Sequence, residues 1–400
     1  MSFSLRAVAA LLLSSVAVPA VAQAPAAPAA PAQVKPSKQA LKAIVDLQTA
    51  TNGTDLAAIK AKVAEAQAVA ATKEDRYLIG QLQLKAALNL NDMALGSSAL
   101  DAIAASGYLD NGKVAALYSS LGVKAYNAKQ HAQAEQLFNR AVALDARNVE
   151  ALSFIGEARL AQGQKAQAVA AFQQAIRAAG PKPQEALLKR ALGAAYDAQL
   201  PVAGEIGRQW VSAYPSAESW RTALAVYRNV AKPDLEGTLD VLRLMRSAGA
   251  LTTPSDFVLY ANVLNEQSNF IEAQNAIDQA VAAKQIDAAN AQVSGIAATL
   301  KAKPKPTASE LEAAAKGAQS GMALLRIGDR FYGLGQYARA AELYRQAMSK
   351  GVDPNLANMR VGVALTAAGD KAGATTAFNA VTGARADLAK YWLLHLQSRG

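Results

Sequence analysis

Apolar positions along this chain follow two nested periods. Over short windows they return every third or fourth residue, the mark of one buried face of an α-helix. Over longer ones the whole set returns after 34 residues. With Leu121 and Gly122 taken as positions seven and eight of a copy, Ala134, Phe138 and Ala141 fall at 20, 24 and 27. The next copy places Ile155, Gly156, Gly163, Ala168, Phe172 and Ala175 at the matching points. Two later ones give Ile327, Gly328, Phe331, Gly335, Tyr337, Ala340, Tyr344, Ala347 and then Val361, Gly362, Leu365, Gly369, Ala374, Phe378, Val381. Small residues at eight and 20 let two helices approach, and the large one at 24 is expected to fill the space between copies. Each copy therefore predicts a helical hairpin turning at Gly163, Gly335 or Gly369, where glycine takes the left-handed conformation without a side-chain penalty. One hairpin cannot bury its own apolar face, so neighbours must stack.

Other copies are weaker. Ser255 to Ala282 keeps Tyr260, Ala261, Leu264, Phe270, Ala273, Ile277 and Ala280 in place. Leu192, Gly193 and Tyr196 begin a copy that Pro201 and Gly204 then disturb, and Trp220, Leu224 and Tyr227 begin another that departs from the pattern before Gly249. From Ser37 to Gly107 helical periodicity persists with a faint copy around Gly80. The boundaries read as a helical-repeat stretch over 37–300, with strong copies at 115–182 and a good one at 254–287. A basic Lys/Pro hinge follows at 301–306, then a C-terminal block over 307–400 with strong copies at 321–354 and 355–386 and a capping helix at 387–397. Ser309 and Glu312 have the spacing of a helix capping box just after the hinge. Pro181, Pro215 and Pro354 fall where helices start or stop.

This pattern resembles the tetratricopeptide repeat family over residues 115–180, 255–282 and 321–382. The resemblance implies an all-α fold, a right-handed α-solenoid of stacked helix-turn-helix repeats with a C-terminal capping helix. It also implies a concave groove lined by positions two, five, nine and twelve of the first helices. Carried across residue by residue, these are Ala116, Ser119, Val123 and Tyr126, then Glu150, Ser153, Glu157 and Leu160. In the C-terminal pair they are Met322, Leu325, Asp329 and Tyr332, then Leu356, Met359, Val363 and Thr366. The candidate groove residues are Tyr126, Glu157, Asn262, Met322, Leu325, Asp329, Tyr332, Leu356, Met359 and Val363. The N-terminal set is mixed and mildly acidic. The C-terminal set, largely apolar with two adaptable methionines, would suit an amphipathic helix or an aliphatic peptide segment. The alternative is that these side chains pack between adjacent first helices. The lysine and asparagine pattern by which some members hold a carboxylate tail is represented only by Asn262.

Residues 1–22 carry Arg6, an apolar run from Ala7 to Val18 and then Ala20-Val21-Ala22, the order of a secretory signal peptide. The run is too short to span a bilayer, and cleavage is expected after Ala22 or Ala24. A Pro/Ala-rich flexible linker follows over 23–36. With no Cys for a lipid anchor, an exported bacterial protein of periplasmic or secreted location is expected. No later stretch reaches about 18 uninterrupted apolar residues, so the mature chain should hold no transmembrane segment. The formal net charge of +10 is spread along the chain apart from Lys301, Lys303 and Lys305. It admits an anionic glycan as a second partner class and carries no nucleic-acid footprint.

Candidate chemistry changes little. The chain has two His and no Cys. His131 stands where an aromatic ring packs between helices, and His395 has no ligand-type residue three or four places away, so neither sets up a zinc site. No strand-turn-helix setting for G-x-S-x-G and no phosphate-cradling G-x-x-x-x-G-K-[ST] occurs. Glu310 and Glu312 belong to a helix start, where negative charge suits the dipole. No catalytic, metal-binding or cofactor residue is expected. The function expected is a non-enzymatic exported scaffold that binds peptide segments or partner proteins in an envelope assembly. The alternative is an accessory component of exopolysaccharide or envelope-glycan export.

Overall fold

The computed structural model describes residues 34–398, so the expected signal segment 1–22, its cleavage site and most of the 23–36 linker lie outside the described residues. All regular elements among the described residues are helical. Contacts divide the chain into two units with the boundary after Gln83. In the first, α1 (Leu41–Ala50) packs on α2 (Leu56–Val69), and α3 (Lys73–Leu90) begins. The buried Asp75 accepts the backbone N–H of Ser37 at 2.7 Å and those of Ala71 and Thr72 at 3.1 Å, tying the strand-free start of the unit to the first turn of α3.

The second unit is an all-α solenoid of stacked hairpins. It runs through α4 (Met93–Ser106), α5 (Asn111–Asn127), α6 (His131–Leu144), α7 (Val149–Ala161), α8 (Lys165–Ala179), α9 (Glu185–Asp197) and α10 (Ala203–Ala213). It continues through α11 (Ala217–Ala231), α12 (Leu235–Ser247), α13 (Pro254–Glu266), α14 (Phe270–Ala282), α15 (Ala291–Lys301) and α16 (Ala308–Gly317). It ends with α17 (Gly321–Gly333), α18 (Tyr337–Ser349), α19 (Pro354–Ala368), α20 (Lys371–Asn379), a 3-10 turn at Gly383–Arg385, and α21 (Ala386–Ser398).

The strong copies are α5/α6, α7/α8, α17/α18 and α19/α20, and each rests on one contact. A Cβ on Gly122 would lie 2.7 Å from the Phe138 ring, on Gly156 2.6 Å from Phe172, on Gly328 2.7 Å from Tyr344, and on Gly362 2.5 Å from Phe378. The ring at position 24 therefore lies on the glycine of its own hairpin. It also reaches the next one, as expected: Phe138 stacks on Phe154 with centroids 5.1 Å apart, and Phe378 on Trp392 at 5.5 Å.

The hairpin turn is more uniform than the sequence. Gly163, Gly335 and Gly369 have φ of +77°, +79° and +83°, and Lys129, Gln199 and Ser268 take the same left-handed conformation without being glycine. In all six turns the next N–H reaches back five residues, as from Gln130 to the Ala125 carbonyl and from Asn269 to that of Leu264, closing a Schellman cap. Copies that lack the glycine thus fold as the others do. Two local readings are corrected. The capping box after the hinge is formed by Thr307 with Glu310, two residues before the expected Ser309 and Glu312, while Glu312 pairs with Arg339 at 2.8 Å. In α9, Gly193 is exposed with nothing within 4 Å of a Cβ, and the core of that copy is filled by Leu192 and Trp210.

Residues 302–307 interrupt the helices, and beyond them the chain doubles back. The first helices α17, α19 and α21 pack on the second helices α14, α12 and α10 in reverse order, so one apolar core runs from Val211 to Leu396. This explains why the middle copies look degenerate. At Gly207 of α10 a Cβ would collide with the Tyr391 hydroxyl of α21, and at Gly237 of α12 it would stand 2.9 Å from an Arg385 Nη1. Second helices covered on both sides need a sequence different from those with one face in water.

Candidate functional site

The first helices of the N-terminal and middle hairpins present a face that is open to solvent. On α5, Ala116 is exposed, Val123 and Tyr126 are half-buried, and Ser119 is buried where the Asn148 amide donates to its Oγ at 3.2 Å. On α7, Glu150 is exposed, and Ser153, Glu157 and Leu160 are half-buried. Tyr126 meets His131 and Phe154 edge-on at 5.1 and 5.6 Å, and burial, then the Glu157 carboxylate, pushes its phenol above the usual range. On α9 Ala186, Lys189, Gly193 and Tyr196 are exposed, and on α13 Asn262 is exposed.

Charged pairs step along this face from helix to helix. Arg190 of α9 holds Glu157 of α7 through two bonds of 2.6 and 2.7 Å. Lys189 stands 3.1 Å from Glu185 on its own helix and 3.3 Å from Glu218 of α11. Arg221 of α11 then grips Asp256 of α13 at 2.8 and 3.1 Å. Of these groups only Glu157 was singled out from sequence. The others recur at intervals close to the repeat length, 33 residues for Glu157 to Arg190 and 35 for Arg221 to Asp256, a signal that a scan for charge at the repeat period could have found.

The C-terminal candidates lie elsewhere. Met322 is exposed, but Leu325, Asp329, Leu356, Met359 and Val363 are buried, and Thr366 with them, while Tyr332 is partly covered. What covers this face is the chain itself, not an adjacent first helix alone. Arg243 of α12 donates to Asp329 at 3.1 Å and lies 4.3 Å from the Tyr332 ring centroid. Arg360 of α19 reaches Glu236 and Asp240 of α12, each at 2.7 Å, and also Asp329. Arg243 further holds Glu272 of α14 at 2.6 and 2.9 Å. Asp329 thus joins α17 to α12 and α19, and the expected groove on this side is an internal interface.

Burial opposes ionisation of Asp329, yet Arg360, Arg243 and the Tyr344 hydroxyl outweigh it and hold the carboxyl below the usual range. Asp240 goes the other way. Burial pushes it up to about 6 against the pull of Arg360, Arg243 and Arg385, with Glu236 adding repulsion. A carboxyl raised on folding contributes stability that is present below its unfolded pKa of about 3.9 and lost as pH rises through about 6. The lowered Asp329 has the opposite sign and acts only below about pH 4. Between pH 4.5 and 7, then, urea unfolding of the wild type should carry a loss on the order of 2 kcal/mol from Asp240. Asp240→Asn should remove that slope. Equal slopes in the two proteins would show that Asp240 does not titrate in this window.

Both histidines pack against aromatic rings. His131 packs on Tyr126, and the buried His395 of α21 shares a hydrogen bond of 2.8 Å with the Ser247 hydroxyl between the rings of Trp220 and Trp392. Among the described residues, no group of three or more His, Asp or Glu is placed to hold a metal ion, and no helix is long and apolar enough to cross a membrane.

Residues 325–389 match the model of the tetratricopeptide repeat family. No curated protein matches the chain. Among solved structures, a tetratricopeptide repeat protein from Parabacteroides merdae is 12% identical, with 80% of this chain and 99% of that one covered and a TM-score of 0.29. The TPR2AB domain of yeast Sti1, solved as a complex with pHSP90, is 15% identical over 72% of this chain and 99% of that one, with a TM-score of 0.25. Superpositions this loose carry no weight for function. The family match coincides with the two hairpins in which Tyr344 covers Gly328 and Phe378 covers Gly362, and these two hairpins are tetratricopeptide repeats within an all-helical stacked solenoid.

Proposed function

We propose that this protein is a non-catalytic scaffold that captures a segment of a partner protein on the first-helix face of α5 to α13. The observation that carries this reading is the contrast between the two faces: one is open and spanned by ordered charged pairs, and the other is sealed by the chain itself. Tyr126, Leu160 and Tyr196 offer apolar contact on the open face, and the paired charges fix the spacing between helices, so a peptide would meet a preformed surface. Export to an envelope assembly is part of the proposal and rests on the signal-like order of residues 1–22. An anionic glycan is less suited to this face, because Arg190, Lys189 and Arg221 already hold carboxylates.

The test is a crosslinking pull-down from an envelope extract, run at low and high salt with the wild type, Tyr126→Ala/Tyr196→Asp and a Met322→Asp control. A protein recovered at both salts by the wild type and the control, and at least tenfold less by the double variant, is the expected result. Recovery of glycan alone, and only at low salt, would overturn the reading.

A further inference from the structure

The interface made when the chain doubles back differs in kind from the hairpin cores. Those cores are apolar, a ring on a glycine. This one buries Arg243, Arg360, Asp240, Asp329 and Glu272, and is rimmed by Arg208 with Asp387 at 3.1 Å and Arg385 with Asp234 at 2.7 Å. Several polar atoms buried in it have no aligned hydrogen bond: both Asp240 oxygens, the Arg360 Nε, one Asp329 oxygen, the Tyr391 hydroxyl and the Trp392 Nε1. A buried ionic cluster adds little net stability over apolar packing, while it fixes which surfaces meet and in what register. These charges set the register of an interface whose apolar part is continuous with the core from Val211 to Leu396. A cleft of about 400 Å³ along its edge, lined by Tyr227, Lys232, Asn355 and Thr382, leaves that edge loosely filled.

Two more features agree. The block beyond 302–307 is joined through an exposed Pro-containing link, so moving it as a body breaks no helix. And α12 lies against α19 in the block's groove as a ligand helix would, with α14 beside it on α17. It is buried without a break from Leu239 to Met245, and it meets positions nine and twelve of α17, Asp329 and Tyr332, through Arg243. Three of its polar residues make the contact, Glu236, then Asp240 four residues on, then Arg243 three further.

We propose that residues 307–398 form a releasable block whose helix-binding face is kept closed by α12, and that the partner it takes on release is an amphipathic helix with the acid, acid, arginine spacing of Glu236, Asp240 and Arg243. The partner class rests on the peptide-binding reading above, whereas the release does not. In the closed chain the tethered α12 competes at an effective concentration in the millimolar range, so an outside helix binds weakly until the rim is loosened.

The probe is a fluorescein-labelled peptide of residues 233–249, titrated by anisotropy into the full-length wild type and Arg208→Ala/Arg385→Ala, with hydrogen exchange followed in both. In the wild type, α12 and α19 should exchange through an opening that leaves α7 and α8 protected. The rim variant, with α5 to α8 exchanging as in the wild type, should bind the peptide at least tenfold more tightly. A peptide carrying Asp240→Lys and Arg243→Glu should not bind. Exchange of α12 only with global unfolding would overturn the release. Opening without tighter binding, or equal binding of the charge-reversed peptide, would overturn the partner class. Neither readout needs the natural partner, so loss of the pull-down with these results intact would count against the open-face reading alone.

Discussion

Arg360→Met should lower the unfolding free energy by about 3–5 kcal/mol, the usual cost of leaving buried charges without their counter-ion. Arg360 is fully buried and its guanidinium meets Glu236, Asp240 and Asp329 at once. Methionine fills much of the volume and satisfies none of these carboxylates. Asp329 keeps Arg243 and the Tyr344 hydroxyl, at 3.1 and 2.8 Å, so the burden falls mainly on Asp240. Adding Asp240→Leu to the same chain should therefore recover part of the loss, since an apolar replacement of a buried pair is often neutral. Chemical unfolding of the two variants beside the wild type decides it. A single variant within 1 kcal/mol of the wild type, or a double variant no more stable than the single, would show that the network is not organised around Arg360.

Phe378→Ala should cost a similar amount, about 3–5 kcal/mol, by opening a cavity that rigid neighbours cannot fill. Its ring lies between the bare backbone of Gly362 and the Trp392 indole, so both surfaces lose their packing together. Phe172→Ala removes the equivalent ring from Gly156 and should cost about as much on the same principle, but the two losses should spread differently. Outside the doubled-back region each hairpin couples only to its neighbours, so faster hydrogen exchange in Phe172→Ala should stay within α5 to α10. In Phe378→Ala it should reach α10 and α11 through α21, which packs on Trp220 and Tyr227. Exchange that stayed within α19 and α20 would argue against that coupling.

How far the sequence could be read follows from which contacts are local. The glycine at eight and the ring at 24 belong to one hairpin, and a pattern of 34 residues holds both ends of the contact. The doubling back has no such signal. Gly207 is small because of Tyr391 and Gly237 because of Arg385, partners far along the chain whose identity no periodicity announces, so these positions read only as lapses in the repeat. The candidate groove shows the same limit. The family pattern assigns positions two, five, nine and twelve to the groove in both pairs, but sequence cannot say whether their own hairpin, water or another part of the chain lies opposite. On α5 and α7 it is largely water, on α17 it is α14 together with Arg243 of α12, and on α19 it is α12. At α9, Gly193 stands beside Leu192 like the Leu-Gly pair of the first copy, yet here the glycine faces out while the leucine fills the core.

The Arg208 to Asp387 contact joins residues 179 apart, and that distance bears on how the chain comes to be folded. A repeat array can form in order from its amino end, each hairpin docking on the last and waiting for nothing beyond the next. Here α10, α11 and α12 leave the ribosome with surfaces that only α19 and α21 can cover. The slow step should be this late closure, with its long loop, rather than helix formation. Until the last helix is made, Trp220 and Tyr227 face whatever is nearby, and a chain that stops short of Tyr391 is a mutant of its own middle.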